Sequence, residues 1–207
     1  MAYFPLFIEL EGKPVLIVGG GRMALDKAHK LMGYGARITV IAPEIRPELA
    51  EIPGLVLLRR PFGAGDIQVE YAFVIAATDD NDVNRLIAAQ CRVRRIPVNV
   101  VDTQEECSFI FPSLVHRGPL SIGISSGGAS PAAAVRIRSE IEAGLPASTE
   151  EILLWLASLR PSLRDRTSGE PERKQIYRAL LEEALRADRA LNPEETEAVV
   201  TRFVSQR

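Results

Sequence analysis

Three short stretches hold residue types at spacings suited to chemistry. The first, Gly19-Gly20-Gly21-Arg22-Met23-Ala24, reads G-x-G-x-x-A and lies directly between an apolar run and a helical pattern. Gly19 permits a tight turn, Gly21 lets a pyrophosphate approach the backbone, and Ala24 lets a helix pack closely on a sheet. Arg22 and Met23 open that helix, whose amino terminus faces the phosphates. Gly19, Gly20, Gly21, Arg22, Met23 and Ala24 are therefore the expected contacts of a dinucleotide; the bland alternative is a turn that merely needs glycine.

The second stretch, Asn99-Val-Val-Asp102, places a carboxylate at the end of an apolar strand, on the sheet edge that carries the glycine loop. An aspartate there can take a proton from a substrate held against the cofactor. Glu105 and Glu106 compete for the role on position alone. The third stretch, Ser125-Ser-Gly-Gly-Ala-Ser-Pro131, is a glycine-rich turn leading into a helix. Its backbone amides form an anion nest with hydroxyls beside it, so Ser125, Ser126, Gly127, Gly128 and Ser130 are expected to hold anionic substrate groups.

Two flanking positions belong with the glycine loop. Pro43 and Glu44 follow the second apolar run, where an acid about 20 residues beyond the glycines binds a ribose hydroxyl. Glu44 is either that acid or a solvated loop residue, and Arg46 beside it leaves NADP open although NAD is preferred. Thr78 and Asp79 follow a later apolar run, where an open sheet meets its ligand, while Asp80 is equally suited to capping the next helix.

These residues need a scaffold of alternating strands and helices. Lys13–Val18, Arg37–Ala42, Leu55–Leu58, Tyr71–Ala77 and Pro97–Val101 are short apolar runs of the kind that form buried parallel strands. Ala24, Ala28, Leu31 and Met32 mark a helix after the first, and Val83, Leu86, Ile87 and Cys91 mark one before the last. The pattern predicts an α/β fold with an open, doubly wound parallel sheet to about residue 112. A strand over Leu120–Ile124 and a helix opened by Ser130 and Pro131 begin a second unit. The rest is expected to be helical, with stripes at Ile152, Leu153, Leu156, Leu159 and at Ile176, Leu180, Leu181, Leu185. A mobile polar stretch, Arg160–Pro171, should join the two stripes. His116 and Arg117 are placed in a turn, and Arg136 and Arg138 are read as partners of Glu140 and Glu142.

Composition narrows the partners. Lys plus Arg total 25 against 27 Asp plus Glu, a net charge of −2. No basic field exists for nucleic acid or an anionic membrane, so an anionic ligand needs a local site. Two cysteines and two histidines give neither a disulfide framework nor a metal cluster, and no bound metal is expected. The amino-terminal apolar stretch is broken by Glu9, Glu11 and Lys13, so neither a signal peptide nor a span is expected and the location is read as cytoplasmic.

Phe4-Pro-Leu-Phe, Val18-Gly-Gly-Gly, Lys27-Ala28, Ala76-Ala-Thr-Asp-Asp80, Asn99-Val-Val-Asp102, Ser108-Phe-Ile-Phe-Pro112 and Ser125-Ser-Gly-Gly-Ala-Ser-Pro131 occur together. In this combination the chain resembles the precorrin-2 dehydrogenase and sirohydrochlorin ferrochelatase family, the dehydrogenase part of siroheme synthase. With no methyltransferase segment in the sequence, the free-standing form is expected. The resemblance implies a Rossmann-type NAD domain at 1–112, a small α+β dimerisation segment at 113–146 and a helical tail at 147–207. It also implies a homodimer, NAD-dependent oxidation of precorrin-2 to sirohydrochlorin, and in some members insertion of ferrous iron, a lyase-class step with iron as substrate. Asp102 matches the family's catalytic aspartate. The alternatives are a dehydrogenase of another small substrate and a non-enzymatic NAD-sensing regulator.

Overall fold

The computed structural model describes residues 3–204. The chain forms two compact units, Phe4–Phe111 and the segment from Pro112 onward.

In the first unit, β1 (Pro14–Val18), β2 (Arg37–Ile41), β3 (Val56–Leu58), β4 (Phe73–Ala76) and β5 (Val98–Val100) form one sheet in the order β3-β2-β1-β4-β5. Every pairing is parallel. The strand order reverses direction between β1 and β4, so the helices after β1 and β4 cover opposite faces of the sheet. Alternate side chains show this. Val15, Ile17, Ile38, Val40, Phe73 and Ile75 pack with Ala24, Ala28 and Leu31 of α1 (Arg22–Met32). Leu16, Val18, Ile41, Val74 and Ala76 pack with Ile87, Ala88 and Cys91 of α3 (Asn81–Arg94). Each fully buried Leu, Ile or Val contributes about 1.5–3 kcal/mol. A four-residue helix, α2 (Pro47–Ala50), follows β2 and seats Leu49 in the first of these cores.

Cys91 has no solvent exposure, and burial pushes its thiol up to about 11, so it is a core residue. After β5 the chain runs back along that strand. Ser108 N–H donates to the Val98 carbonyl at 2.9 Å, and Ser108 Oγ accepts from Val98 N–H at 2.7 Å. Asn99 Nδ2 donates to the Phe109 carbonyl at 3.1 Å. This strap delivers Phe109 and Phe111 onto Phe73, with ring centroids 5.0 and 6.1 Å away.

The second unit opens with an antiparallel hairpin of β6 (Ser113–Arg117) and β7 (Leu120–Ile124). His116 and Arg117, expected in a turn, are the last residues of β6; Gly118, at φ +53°, takes the turn instead. α4 (Pro131–Gly144) follows, with Ser130 Oγ accepting from Ala133 N–H at 3.1 Å and Pro131 at its first position. The remaining helices are α5 (Thr149–Ser158), α6 (Arg160–Arg166), α7 (Glu170–Ala187) and α8 (Pro193–Val204). Ile152, Leu163, Ile176, Leu180, Ala184, Val199 and Val200 form their common core.

Two expectations change here. The Arg160–Pro171 stretch is not a loose joint, because Arg160–Arg166 is helical and Leu163 anchors it in that core. On α7 the buried stripe is Ile176, Leu180 and Ala184, whereas Leu181 and Leu185 remain 36% and 47% exposed.

Candidate active site

The glycine loop leaves β1 and enters α1 directly. Gly19 has φ +122°, and a Cβ there would be driven into the Ala77 carbonyl at the end of β4. A Cβ on Gly20 would run into the Glu44 carbonyl, and Gly20 also accepts from Arg46 N–H at 3.0 Å. These two glycines let three loop segments close on one another. Gly21 is different: it is exposed, and a Cβ on it would meet nothing within 4 Å.

Past Gly21, α1 starts with no side-chain cap and no acid in its first turn. Its first amides therefore face open space with a positive dipole end behind them, which fits a pyrophosphate. Ala24 is fully buried under the sheet, while Arg22 and Met23 are exposed at the mouth of the loop. Pro43 and Glu44 are exposed beside it, with the Glu44 backbone against Gly20. Arg46 Nη2 pairs with Glu48 Oε1 at 2.8 Å, both side chains being half exposed.

Thr78 and Asp79 lie past β4 on the same edge. Asn84, buried within α3, holds this turn: its Oδ1 accepts from Thr78 N–H at 3.2 Å and Thr78 Oγ1 at 2.8 Å, and its Nδ2 donates to the Thr78 carbonyl at 2.9 Å. Asp79 is left exposed, and Asp80 caps α3 by accepting from Asp82 and Val83 N–H at 2.8 and 3.2 Å. Asn84 escapes a reading of the sequence, though a polar residue on the buried side of a helix signals a needed partner.

Asp102 follows β5 on this edge, exposed and at φ +61°. Among the described residues two other non-glycines have positive φ, Arg95 and Asp188, and both end helices. Asp102 ends none, and its conformation costs roughly 1 kcal/mol or more. Glu106 is taken by Arg92, and Glu105 is exposed within the 3-10 turn Gln104–Glu106.

Lys27 stands at the middle of α1. It lies on the buried face of α1 at 9% exposure, its Nζ 4.4 Å from the centre of the Phe111 ring. Burial, then Lys30, holds its ammonium below the ordinary value; Asp26, Cys107 and Asp102 pull the other way.

In the second unit, Gly127 and Gly128 take φ +64° and +91°, a turn that glycine adopts without steric cost. Ser125 Oγ accepts from Gly127 N–H at 3.1 Å, and Ser126 Oγ accepts from Ser130 N–H at 3.0 Å. With Ser130 Oγ capping α4, all three hydroxyls accept from backbone and keep their own protons to donate. Arg136 pairs with Glu140 at 2.8 Å and Arg138 with Glu142. Among the described residues no group of three His, Cys, Asp or Glu side chains gathers as a metal site, and no helix is long and apolar enough to cross a membrane.

Residues 6–113 match the family described as "Putative NAD(P)-binding", and residues 117–144 match the one described as "Sirohaem biosynthesis protein central". A siroheme synthase of Ectopseudomonas mendocina (strain ymp) is 47% identical over 167 residues, covering 80% of this chain and 35% of the relative. One from Thioalkalivibrio sulfidiphilus (strain HL-EbGR7) is 39% identical over 185 residues, covering 88% of this chain and 38% of the relative. The chain thus spans little more than a third of these relatives' length. The solved structure of SirC, precorrin-2 dehydrogenase, aligns over 97% of this chain and 98% of its own with a TM-score of 0.77 and 26% identity. The chain belongs to the family described as "Putative NAD(P)-binding", and its next segment is similar to the sirohaem central segment.

Proposed function

We propose that the protein oxidises precorrin-2 to sirohydrochlorin with NAD. What carries this function is the shared edge of one sheet: the open face of Gly21 at the end of β1 and the forced turn of Asp102 at the end of β5. The names of the siroheme synthase relatives and of SirC supply the substrate.

Gly19 and Gly20 shape the loop, Gly21, Arg22, Met23 and Ala24 offer the amides of the α1 amino terminus, and Glu44 with Pro43 borders the ribose. Thr78 and Asp79 border the cofactor from β4. The bound dinucleotide supplies the acceptor for one hydride. Asp102 takes the proton that leaves with it, so the substrate loses two hydrogens in all. Ser125, Ser126, Gly127, Gly128 and Ser130 hold substrate carboxylates by hydroxyl and amide donation.

In this proposal residues 1–112 are the cofactor domain, 113–146 the segment through which a homodimer forms, and 147–207 the helical tail, in a cytoplasmic enzyme. Siroheme is the iron chelate of sirohydrochlorin, so the relatives' name favours a second, lyase-class step in which ferrous iron enters the product. The test is purified protein with precorrin-2 and NAD, followed by absorbance of sirohydrochlorin and NADH. Matched formation of both is expected. NAD binding without oxidation of precorrin-2 would leave a dehydrogenase of another small substrate, or an NAD-sensing regulator. Sirohydrochlorin with ferrous ion then tests chelation separately.

A further inference from the structure

Between the β6–β7 turn and helices α5, α6 and α7 lies a cleft of about 960 Å³, within the size range of small-molecule sites. Helical spacing builds it. Arg160 and Arg164 share one face of α6, Arg173 and Tyr177 share one face of α7, and Leu153 and Leu156 line it from α5.

Its charges are unusual for this unit. Arg166, Arg178, Arg189 and Arg202 are held by Glu197, Glu182, Glu195 and Glu183. Among the described residues, Arg160 and Arg173 have no carboxylate in ion-pair reach, and Arg173 donates only to Thr167 Oγ1 at 3.2 Å. Arg164 reaches only its neighbour Asp165, at 3.9 Å with both exposed. Lys174 at the rim is already paired with Glu170 at 2.7 Å.

A second observation is independent of charge. The Tyr177 hydroxyl is sealed from solvent and has no hydrogen-bond partner among the described residues, a state native proteins rarely leave unresolved. Burial pushes this phenol up from its ordinary value, while Arg160 and Arg173 nearby pull it back. It is a proton donor awaiting an acceptor. Tyr177, Arg160 and Arg173 line the same cleft, so an acceptor bound among the arginines lies beside this hydroxyl.

We infer that this cleft binds an organic polycarboxylate with an apolar body, its carboxylates on Arg160, Arg164 and Arg173, one of them also reached by Tyr177, and its body on Leu153 and Leu156. Guanidinium forks match carboxylates, and the leucine floor would be wasted on inorganic phosphate. The class includes the tetrapyrrole of the proposed reaction; that link alone rests on the function proposed above.

The probe is uroporphyrin, which carries carboxylates on every pyrrole ring, titrated at low ionic strength and followed by its own fluorescence. Saturable binding that weakens with salt is expected. Arg160→Ala with Arg164→Ala should weaken it about tenfold or more. Tyr177→Phe should weaken it about threefold while raising the unfolding temperature, because an unsatisfied hydroxyl is removed. Uroporphyrin methyl ester should not bind. Unchanged affinity in the folded double variant, equal binding of the ester, or displacement by inorganic phosphate at constant ionic strength would each overturn the site. Precorrin-2 oxidation is measured on the same protein: its failure with cleft binding intact sinks the proposed reaction alone, and normal oxidation without uroporphyrin binding sinks the cleft alone.

Discussion

The ammonium of Lys27 stands 4.4 Å from the centre of the Phe111 ring, so the buried face of α1 carries a cation against an aromatic strap. The ring face offsets part of the cost of burying that charge. It does not offset all of it, since burial still lowers the group's proton affinity. The unfolded chain therefore binds this proton more tightly than the folded one. Stability should rise with pH across the window below the ordinary lysine value of 10.5 and level off above it. Lys27→Met is expected to unfold at higher temperature than the parent at neutral pH, with the gap closing as pH approaches 10.5. Thermal melts across that range check it, and parallel profiles for the two proteins would refute it.

Gly20 and Gly21 are neighbours with opposite expected behaviour. Gly20→Ala forces a Cβ into the Glu44 backbone and should destabilise the fold by about 1–3 kcal/mol. Gly21→Ala meets open space and should leave stability within about 0.5 kcal/mol while weakening NAD binding. Denaturant melts paired with NAD titration read both. Equal losses of stability would show that Gly21 also serves packing.

Asn84→Ala strips the partners from the amide and carbonyl of Thr78. A loss of about 1–3 kcal/mol is expected, together with weaker NAD binding, since the turn after β4 loses its anchor. Asn84→Asp should recover part of the loss through Oδ1. An NAD affinity untouched in both variants would remove Thr78 and Asp79 from the cofactor's surroundings.

Asp102→Asn should lower the oxidation rate about 10²- to 10⁴-fold with NAD affinity preserved. Asparagine tolerates positive φ, so the turn at +61° survives the change and backbone rearrangement is not the cause. Rates near those of the parent, with an unchanged circular dichroism spectrum, would shift the role to Glu105 or Glu106.

Ser126→Asp keeps an acceptor for Ser130 N–H but adds a charge in the glycine turn. KM for the anionic substrate should rise several-fold. Ser126→Ala loses one hydrogen bond, worth about 1 kcal/mol, and should be the milder change in KM. Similar KM values for parent and Ser126→Asp would place the substrate carboxylates elsewhere.

The parallel strands were legible because both faces of each are covered, which makes runs such as Val15–Val18 continuously apolar. Strand β6 was not, since His116 and Arg117 are polar and exposed and its pairing with β7 depends on a turn at Gly118. Helix α6 offered a single apolar anchor, Leu163, whose burial is decided by the shared core of the helical segment rather than by local pattern. At the candidate site, the glycine loop and a carboxylate after β5 could be placed from type and spacing, while the choice of Asp102 over Glu105 and Glu106 rests on the family resemblance. Lys27 and Asn84 could not be given roles, because a polar residue on an apolar stripe does not name its partner until distant segments fold onto it.

The strap from Ser108 to Phe111 has an effect on neighbouring molecules as well. Strand β5 ends the sheet, and an uncovered terminal strand is a template on which another chain can add and propagate. Ser108 occupies both the carbonyl and the amide of Val98, so the protein's own backbone already fills part of the position an intruding strand would take. Phe73, Phe109 and Phe111, packed with their rings tilted or edge-on to one another, anchor that cover by hydrophobic contact. Loosening this aromatic anchor would thus turn the sheet's border into a nucleus for aggregation, a hazard set by the same residues that finish its core.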